Sequence, residues 1–197
     1  VQKGLGGFLV RNMESYGILD TMGLTSRIVL DANIYTMNNR AEAFWMKKGI
    51  LGDTVPLELN AKELVHRNNK NSELTVYGYT PMMVSVQCVQ KTMDHCNHAC
   101  VQYVLKDRYQ KEFRGVCSCE FCYNTIYNTL PTSLLKEKEK AEKLGVKAYR
   151  LSFTTETQQE TEKIVRAFVD VYLRGQKPDG QMQTEETTKG HFQRGVE

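Results

Sequence analysis

The sequence predicts an α/β fold, and two observations support this prediction. Short apolar runs that suit buried strands alternate with amphipathic stretches that suit helices along most of the 197 residues. Alternation at this spacing is typical of parallel strands joined by right-handed crossovers. About five or six strands can be counted, whereas a closed eight-unit barrel needs about 250 residues. The chain is therefore predicted to be part of a barrel or a smaller open sheet.

The predicted strands are short and apolar. They lie at residues 8–11, 27–31, 54–59, 73–79, 82–87 and 148–154. The predicted helices have stop or capping residues in the sequence: Gly23 and Gly49 each follow an amphipathic stretch. Asn60 and Thr157 each precede a glutamate by three residues, which is the capping-box pattern. Pro131 is expected to open a further helix.

Composition along the chain predicts four segments. Residues 1–87 are expected to hold β/α units of the barrel, and residues 88–130 an irregular, cysteine-rich metal-binding region. Residues 131–175 are expected to form a closing helix, strand and helix, and residues 176–197 a polar, mobile tail. Because the chain begins with Val1 rather than methionine, we expect it to be a fragment that lacks the N-terminal part of the same polypeptide.

The overall composition is ordinary for a globular protein and excludes several classes. Hydrophobic residues make up 41% and charged residues 25%. The net charge of +3 is too small to indicate a nucleic-acid-binding protein by itself. No apolar run approaches the roughly eighteen residues of a membrane span, so no membrane association is expected. The first residues lack the layout of a signal peptide, which makes the cytoplasm the expected location.

The cysteines are the most informative feature of the sequence. All six lie within one short region: Cys88, Cys96, Cys100, Cys117, Cys119 and Cys122. Disulfides are disfavoured in the cytoplasm, so the crowding indicates a metal site. A C-x₂-C pair brings two thiolates to one metal centre, and soft thiolates select zinc or an iron–sulfur cluster. The spacing leaves both metals open, and His95 and His98 are further possible ligands.

Several longer stretches resemble peptidase family U-32, the collagenase-like group. They include YGYTPMMVSVQCVQKTMDHC, LKDRYQKEF, CEFCYNTIYNTLP, FLVRNMESYG and GHFQRGVE, and the resemblance covers nearly the whole chain. It implies a TIM-type β/α barrel of which this chain carries the later strands. Some relatives are described as peptidases, whereas others take part in hydroxylating RNA bases or a quinone precursor, in some cases with prephenate.

The resemblance also implies a ligand set for a four-iron four-sulfur cluster. Carried over by position, the ligands are Cys88, Cys96, Cys119 and Cys122. The seven residues between the first two cysteines and the close spacing of the last two depart from the hydroxylation-linked relatives. These departures allow Cys117 to replace Cys119.

In a barrel, functional groups lie at the carboxyl ends of the strands. The residues there supply catalytic candidates, namely Asp31, Glu58 and Arg150, and substrate-binding candidates, namely Arg11, Asn33 and Asn60. Prephenate is a dicarboxylate and would need an arginine fork, which adds Arg108 to Arg11 and Arg150 as candidates. Plainer roles compete with these: Asn60 as a helix cap, Asp31 as a turn cap and Arg150 as an ion-pair partner. Tyr103, Tyr123 and Tyr127 are candidates for stacking on RNA bases.

Two alternative functions remain open from the sequence. A peptidase acting on a peptide substrate would agree with the family label, although neither a G-x-S-x-G nor an HExxH motif occurs in the chain. A structural zinc site would make the chain a binding module without a reaction of its own.

Overall fold

A computed structural model describes residues 4–94, 96–178 and 186–196. The chain divides into two compact units. The first comprises the chain up to Val76, Lys136–Arg150 and the chain from Lys189 onward. The second comprises Tyr77–Leu135 and Leu151–Thr188.

The described residues form ten strands and seven α-helices. The first elements are β1 (Phe8–Val10), α1 (Met13–Thr21), β2 (Ile28–Leu30), α2 (Asn39–Lys47), β3 (Gly52–Thr54), α3 (Ala61–Leu64), β4 (Ser72–Gly78), β5 (Pro81–Ser85) and α4 (Val89–Thr92). The remaining elements are β6 (Gln102–Lys106), β7 (Glu112–Ser118), β8 (Tyr123–Tyr127), β9 (Thr132–Ser133), α5 (Lys138–Lys143), β10 (Ala148–Ser152), α6 (Gln158–Phe168) and α7 (His191–Arg194). Short 3₁₀ turns join several of these elements.

The main sheet confirms the predicted mixed α/β class and its parallel strands. Its order is β1-β2-β3-β4-β10, and the first four strands pair in parallel. The sheet curls into a half-barrel. Completion of this half-barrel to a TIM-type barrel stays a prediction.

The apolar core of the first unit lies beneath β1 and β2. Ile28 and Leu30 are fully buried because alternate side chains of a strand point to the same face. Tyr16 from α1 and Trp45 from α2 close the core, with ring centroids 4.8 Å apart in an edge-to-face arrangement. Both helices begin at an asparagine, Asn12 or Asn38, whose side chain accepts backbone N–H groups of the first turn.

A buried polar network lies beside this core and was not predicted from the sequence. The Arg67 guanidinium pairs with Asp53, and both side chains are almost inaccessible to solvent. It also donates to Thr36, to Asn69 Oδ1 at 2.8 Å and to Ser72 Oγ at 3.0 Å. Ser72 in turn donates to Asp53 at 2.6 Å. Since the buried charges are paired and hydrogen-bonded, the network has a structural role.

The second unit is built around an antiparallel sheet, and this corrects the expectation of an irregular cysteine-rich region. The sheet has the order β5-β8-β7-β6, with continuous pairing of β6 with β7 and of β7 with β8. β5 corresponds to the strand predicted at residues 82–87, whereas β6, β7 and β8 were missed because their side chains are a mixture of polar, aromatic and cysteine residues rather than an apolar alternation. The turn between β6 and β7 is closed by Asp107, whose side chain accepts the backbone N–H groups of Tyr109 and Lys111.

Three predicted boundaries differ from the structure. The third strand is Gly52–Thr54 rather than residues 54–59, because Pro56 has no backbone donor for a ladder. Pro131 is followed by β9, and the helix starts only at Lys138. The end of the tail that was expected to be mobile contains α7, with Phe192 buried at 7% exposure. Residues 179–185 and residue 197 of that tail lie outside the described residues.

No helix in the described part of the chain is both long enough and apolar enough to cross a membrane.

Candidate metal centre

All six cysteines belong to the second unit and are reduced. Cys117 is on β7, and Cys119 follows it in a 3₁₀ turn that spans Cys119–Phe121. Cys122 ends this turn in the left-handed conformation, with a φ of 52°. The sequence therefore turns sharply between β7 and β8, and this turn displays the C-x₂-C pair at one end of the sheet.

Cys96, His98 and Cys119 form a group able to hold a metal ion. One ligand atom from each of these residues lies within 4.8 Å of the others. Cys96 and His98 are exposed, whereas Cys119 is half-buried, so the group is open to solvent on one side. The backbone N–H of Cys119 also points to Cys100 Sγ at 3.4 Å, which brings a further thiol to the same turn. His95, the other predicted histidine ligand, lies outside the described residues.

Cys88 and Cys117 form a second, buried pair. Their sulfurs are 3.6 Å apart, and the residues are only 6% and 0% exposed. Cys117 is fixed by strand pairing, because its N–H donates to Val101 O at 2.9 Å. Cys88 immediately precedes α4, and the chain before it is held by Asn124, which donates to Gln87 O at 2.9 Å. Strand pairing and one side-chain hydrogen bond thus bring the two sulfurs together.

The thiols interact electrostatically with one another. Burial raises the pKa of Cys117 to about 12, with further contributions from Cys88, Cys119 and Cys100. Burial, followed by neighbouring thiols that include Cys96, likewise raises the pKa of Cys119. The pKa of Cys88 is lowered, chiefly by a hydrogen bond from the backbone N–H of Lys91. We call the six cysteines together with His98 the thiol cluster.

The predicted ligands are distributed over the thiol cluster. The structure brings Cys96 and Cys119 into one group, adds His98 to it, and pairs Cys88 with Cys117. Cys122 is exposed, and its Sγ lies 3.7 Å from Cys119 O. Several thiolates and an imidazole that lie close together suit soft or borderline transition metals rather than magnesium or calcium. The donor set therefore fits the metal that the sequence predicts, while the type of metal is left open.

Three of the predicted site residues meet in the first unit, in a network that we call the strand-end network. Arg150 donates to Asp31 at 2.9 Å, to Thr54 at 2.8 Å and to Glu73 at 2.9 Å. Arg11 pairs with the second oxygen of Asp31 at 3.0 Å. The side chains of Arg150 and Asp31 are 19% and 13% exposed, whereas that of Arg11 is 62% exposed. Arg11 is thus the open member of an otherwise enclosed network.

The remaining predicted residues have simpler positions. Asn33 accepts a long contact of 3.4 Å from Arg11. Asn60 caps α3 in a full capping box, and a Cβ on Gly195 would lie 2.9 Å from its Nδ2, so the C-terminal segment covers it. Glu58 lies half-buried in the turn after β3. Arg108 sits in the turn between β6 and β7 with its guanidinium 4.7 Å from the Tyr109 ring.

The fold and the thiol cluster define the chain as a mixed α/β protein with a cysteine- and histidine-rich group that can hold a metal ion. No protein-family model, curated protein or solved structure matches the chain in a comparison with known proteins.

Proposed function

We propose that this chain is an iron–sulfur protein of the peptidase family U-32 type, which takes part in the oxidative modification of RNA bases by hydroxylation. The observation that carries the proposal is the thiol cluster, in which Cys96, His98 and Cys119 lie within 4.8 Å beside the buried Cys88–Cys117 pair. Soft sulfur donors in this number are typical of iron–sulfur and zinc sites. A bound cluster would supply redox chemistry, while the chain supplies position and electrostatics.

Exposed aromatic side chains next to the thiol cluster support RNA as the substrate. Phe121 belongs to the turn that carries Cys119 and Cys122, and it is 70% exposed. Its ring is stacked on Tyr123 with an interplanar angle of 26°. Proteins bind unpaired RNA bases by stacking them on aromatic rings of this kind. We expect a base to stack on Phe121, at the same end of the sheet as the thiols.

The strand-end network supports a site for an anionic co-substrate of the prephenate class. Arg150 is engaged by Asp31 and Glu73, so its guanidinium is not available for a carboxylate. Arg11 has a largely exposed side chain, and its contacts within the described part of the chain are to Asp31 and Asn33. Arg11 would therefore make the contact with a carboxylate, held in place by Asp31.

The experiment that tests this function compares RNA from cells that produce the wild-type chain with RNA from cells that produce Cys119→Ser. Ser118→Ala, a neighbouring substitution outside the thiols, is the matched control. We expect nucleosides that have gained one oxygen atom, detected by mass spectrometry, with the wild type and the control but not with Cys119→Ser. Identical nucleoside profiles in all three strains would contradict the proposal.

A peptidase is the second candidate, and one observation favours it. Cys119 and His98 place a thiol and an imidazole within 4.8 Å, and such a pair can act as nucleophile and base. The metal-free chain would then cleave a peptide or gelatin substrate, and His98→Ala would abolish the cleavage. A cysteine that binds a metal cannot act as the nucleophile, so cleavage should fall when Zn²⁺ is added.

A structural zinc module is the third candidate, and metal analysis of protein purified without oxygen separates it from the first. We expect about four irons and four acid-labile sulfides per chain for the cluster, and one zinc without sulfide for the module. Cys119→Ser should lower either content.

A further inference from the structure

Two buried polar atoms next to the Cys88–Cys117 pair have no hydrogen-bond partner among the described residues. They are the hydroxyl of Tyr103 and Oδ1 of Asn124. Asn124 is only 1% exposed, and its Nδ2 is used by Gln87 O, so Oδ1 is the atom that remains. A buried polar atom without a partner costs free energy, so its presence indicates a ligand that it can contact.

Strand register places both residues beside Cys117. Asn124 lies directly opposite Cys117 in the pairing of β7 with β8. Tyr103 lies opposite Gly115 in the pairing of β6 with β7. Since Gly115 and Cys117 are two residues apart on one strand, their side-chain positions share a face of the sheet. Tyr103, Cys117 and Asn124 therefore stand on the same face, on three adjacent strands.

Gly115 makes room for the Tyr103 ring. A Cβ on Gly115 would lie 2.3 Å from Cε2 and Cζ of Tyr103 and 2.8 Å from its hydroxyl oxygen. A side chain at position 115 would therefore collide with the Tyr103 ring in its present position. The electrostatic surroundings agree with this position, because burial raises the pKa of Tyr103 and the thiols of Cys117 and Cys88 raise it further.

The separation of the two sulfurs matches binding to a single ion. Two thiolates at about 2.3 Å from one tetrahedral ion lie about 3.8 Å from each other. The Cys88 and Cys117 sulfurs are 3.6 Å apart, so an ion could bind to both with little movement of the strands. Binding would displace the thiol protons to solvent, which makes the affinity higher at higher pH.

We propose that Cys88 and Cys117 bind one soft metal ion together and that the Tyr103 hydroxyl donates a hydrogen bond to one of the metal-bound sulfurs. This inference rests on the thiol cluster being a metal centre and goes beyond the proposed function, because one ion held by both sulfurs is a mononuclear site, whereas four cysteines hold the four irons of a cluster. The Asn124 Oδ1 lies on the same face of the sheet, where its lone pairs can accept a hydrogen bond or bind the ion. A hydrogen bond to a thiolate withdraws electron density from sulfur and tunes the metal that it binds. Tyr103 is thus a positioning and tuning residue.

The test uses the full chain, freed of metal without oxygen and titrated with Co²⁺ alone. Thiolate binding is followed by the sulfur-to-cobalt charge-transfer absorbance, and folding of each variant by circular dichroism. Cys117→Ser should lose at least about one quarter of this absorbance, the share of one thiolate in a four-ligand site. Tyr103→Phe should keep the Co²⁺ stoichiometry and shift the band to lower energy, because the sulfur loses its hydrogen bond. Tyr109→Phe, an exposed tyrosine of the same hairpin, is the matched control and should shift nothing.

The outcomes separate this inference from the proposed function. If the wild type binds Co²⁺ through sulfur and Cys117→Ser has the same spectrum, the pair is not a metal site, although the metal centre stands. If Tyr103→Phe and Tyr109→Phe have the same band position, the hydrogen bond does not exist. If the wild-type chain shows no sulfur-to-cobalt absorbance, the metal centre itself is wrong. Should Cys117→Ser fail to fold, the comparison of the two tyrosine variants still decides.

Discussion

Two groups of polar side chains, one in each unit, differ in how far the chain satisfies their hydrogen bonds. In the first unit, Arg67 and Arg150 have their guanidinium groups engaged by carboxylates and hydroxyls of the chain. In the second unit, the thiols of Cys88 and Cys117 contact each other, while the Tyr103 hydroxyl has no partner among the described residues. The chain itself supplies hydrogen-bond partners for both guanidinium groups. Beside the two thiols, in contrast, the Tyr103 hydroxyl is left without a partner in the described part of the chain.

This difference distinguishes a structural polar network from a ligand site. Charged groups at the carboxyl ends of parallel strands suggest catalysis by their position alone. Their contacts show that Asp31 and Arg150 are first of all partners of each other. The Cys88–Cys117 pair is the better candidate for a ligand site, because the Tyr103 hydroxyl and Asn124 Oδ1 beside it have no partner among the described residues. In this protein, a buried polar group without a hydrogen-bond partner is therefore a better sign of a functional site than a charged side chain at the end of a strand.

Removal of Arg67 should have the largest effect on stability. Arg67→Ala would leave the Asp53 carboxylate buried without its partner, which we expect to cost about 3–5 kcal/mol of the free energy of unfolding. Urea unfolding at neutral pH measures it. Arg174→Ala breaks an exposed ion pair with Asp170 and should cost no more than about 0.5 kcal/mol. Equal losses in the two variants would show that the buried network is not structural.

Metal binding should stabilise the chain by nearly as much as the Arg67 side chain does. Free Zn²⁺ at about one hundred times its dissociation constant should raise the free energy of unfolding by about 2.7 kcal/mol. The increase should disappear in Cys119→Ser and persist in Ser118→Ala, both measured by thermal unfolding in the presence and absence of chelator. If the unfolding transition were the same with and without Zn²⁺, the thiol cluster would not be a zinc site, and the second unit would not differ from the first in this respect.

The two arginines of the strand-end network should behave differently. Arg150→Ala leaves Asp31 and Glu73 without a shared partner, and we expect a loss of about 2 kcal/mol. Arg11→Ala should cost less than about 1 kcal/mol, because its ion pair is mostly exposed. Denaturant titration of both variants tests this order. If Arg11→Ala lowered the free energy of unfolding more than Arg150→Ala, Arg11 would be a structural residue rather than one available to a ligand.

The smallest expected effect is the pH dependence of the stability that Glu137 contributes. Burial acts to raise the pKa of Glu137, but hydrogen bonds from Lys140 and Lys189 outweigh it and lower the pKa below its usual value of 4.5. A lowered carboxyl pKa contributes stability above pH 4.5, and this contribution is lost as the pH falls through the folded-state pKa. Glu137→Gln should cost about 1 kcal/mol at neutral pH and less in acid. Melting temperatures at neutral and acidic pH check it; a cost that did not shrink in acid would contradict the assignment.

Local signals in the sequence predicted much of the first unit. The run around Ile28 and Leu30 is β2, and the capping box at Asn60 is present in full, as is the one at Thr157 in the second unit. Of the sheet in the second unit, β5 was predicted, whereas β6, β7 and β8 escaped prediction, because their mixed polar, aromatic and cysteine side chains lack an apolar alternation. Arg67 was overlooked since it stands in a polar stretch that looks like a loop, and its burial follows from tertiary contacts.

The candidate metal centre was predicted in location but not in detail. The crowding of cysteines indicated it, and C-x₂-C spacing drew attention to Cys119 and Cys122. The alternation of β7 buries Cys117 on the same face as Gly115, which spacing rules cannot reveal. His98 was predicted as a possible ligand and lies with Cys96 and Cys119, but its loop conformation with a φ of 55° has no signal in the sequence.

X-ray absorption at the metal edge of protein purified without oxygen tests the central claim most directly. The claim is that the thiol cluster is a metal centre. It predicts a ligand shell dominated by sulfur at about 2.3 Å, with iron neighbours in addition if the metal is a cluster. A chain that carries no bound metal, or a shell of oxygen and nitrogen alone, would contradict it.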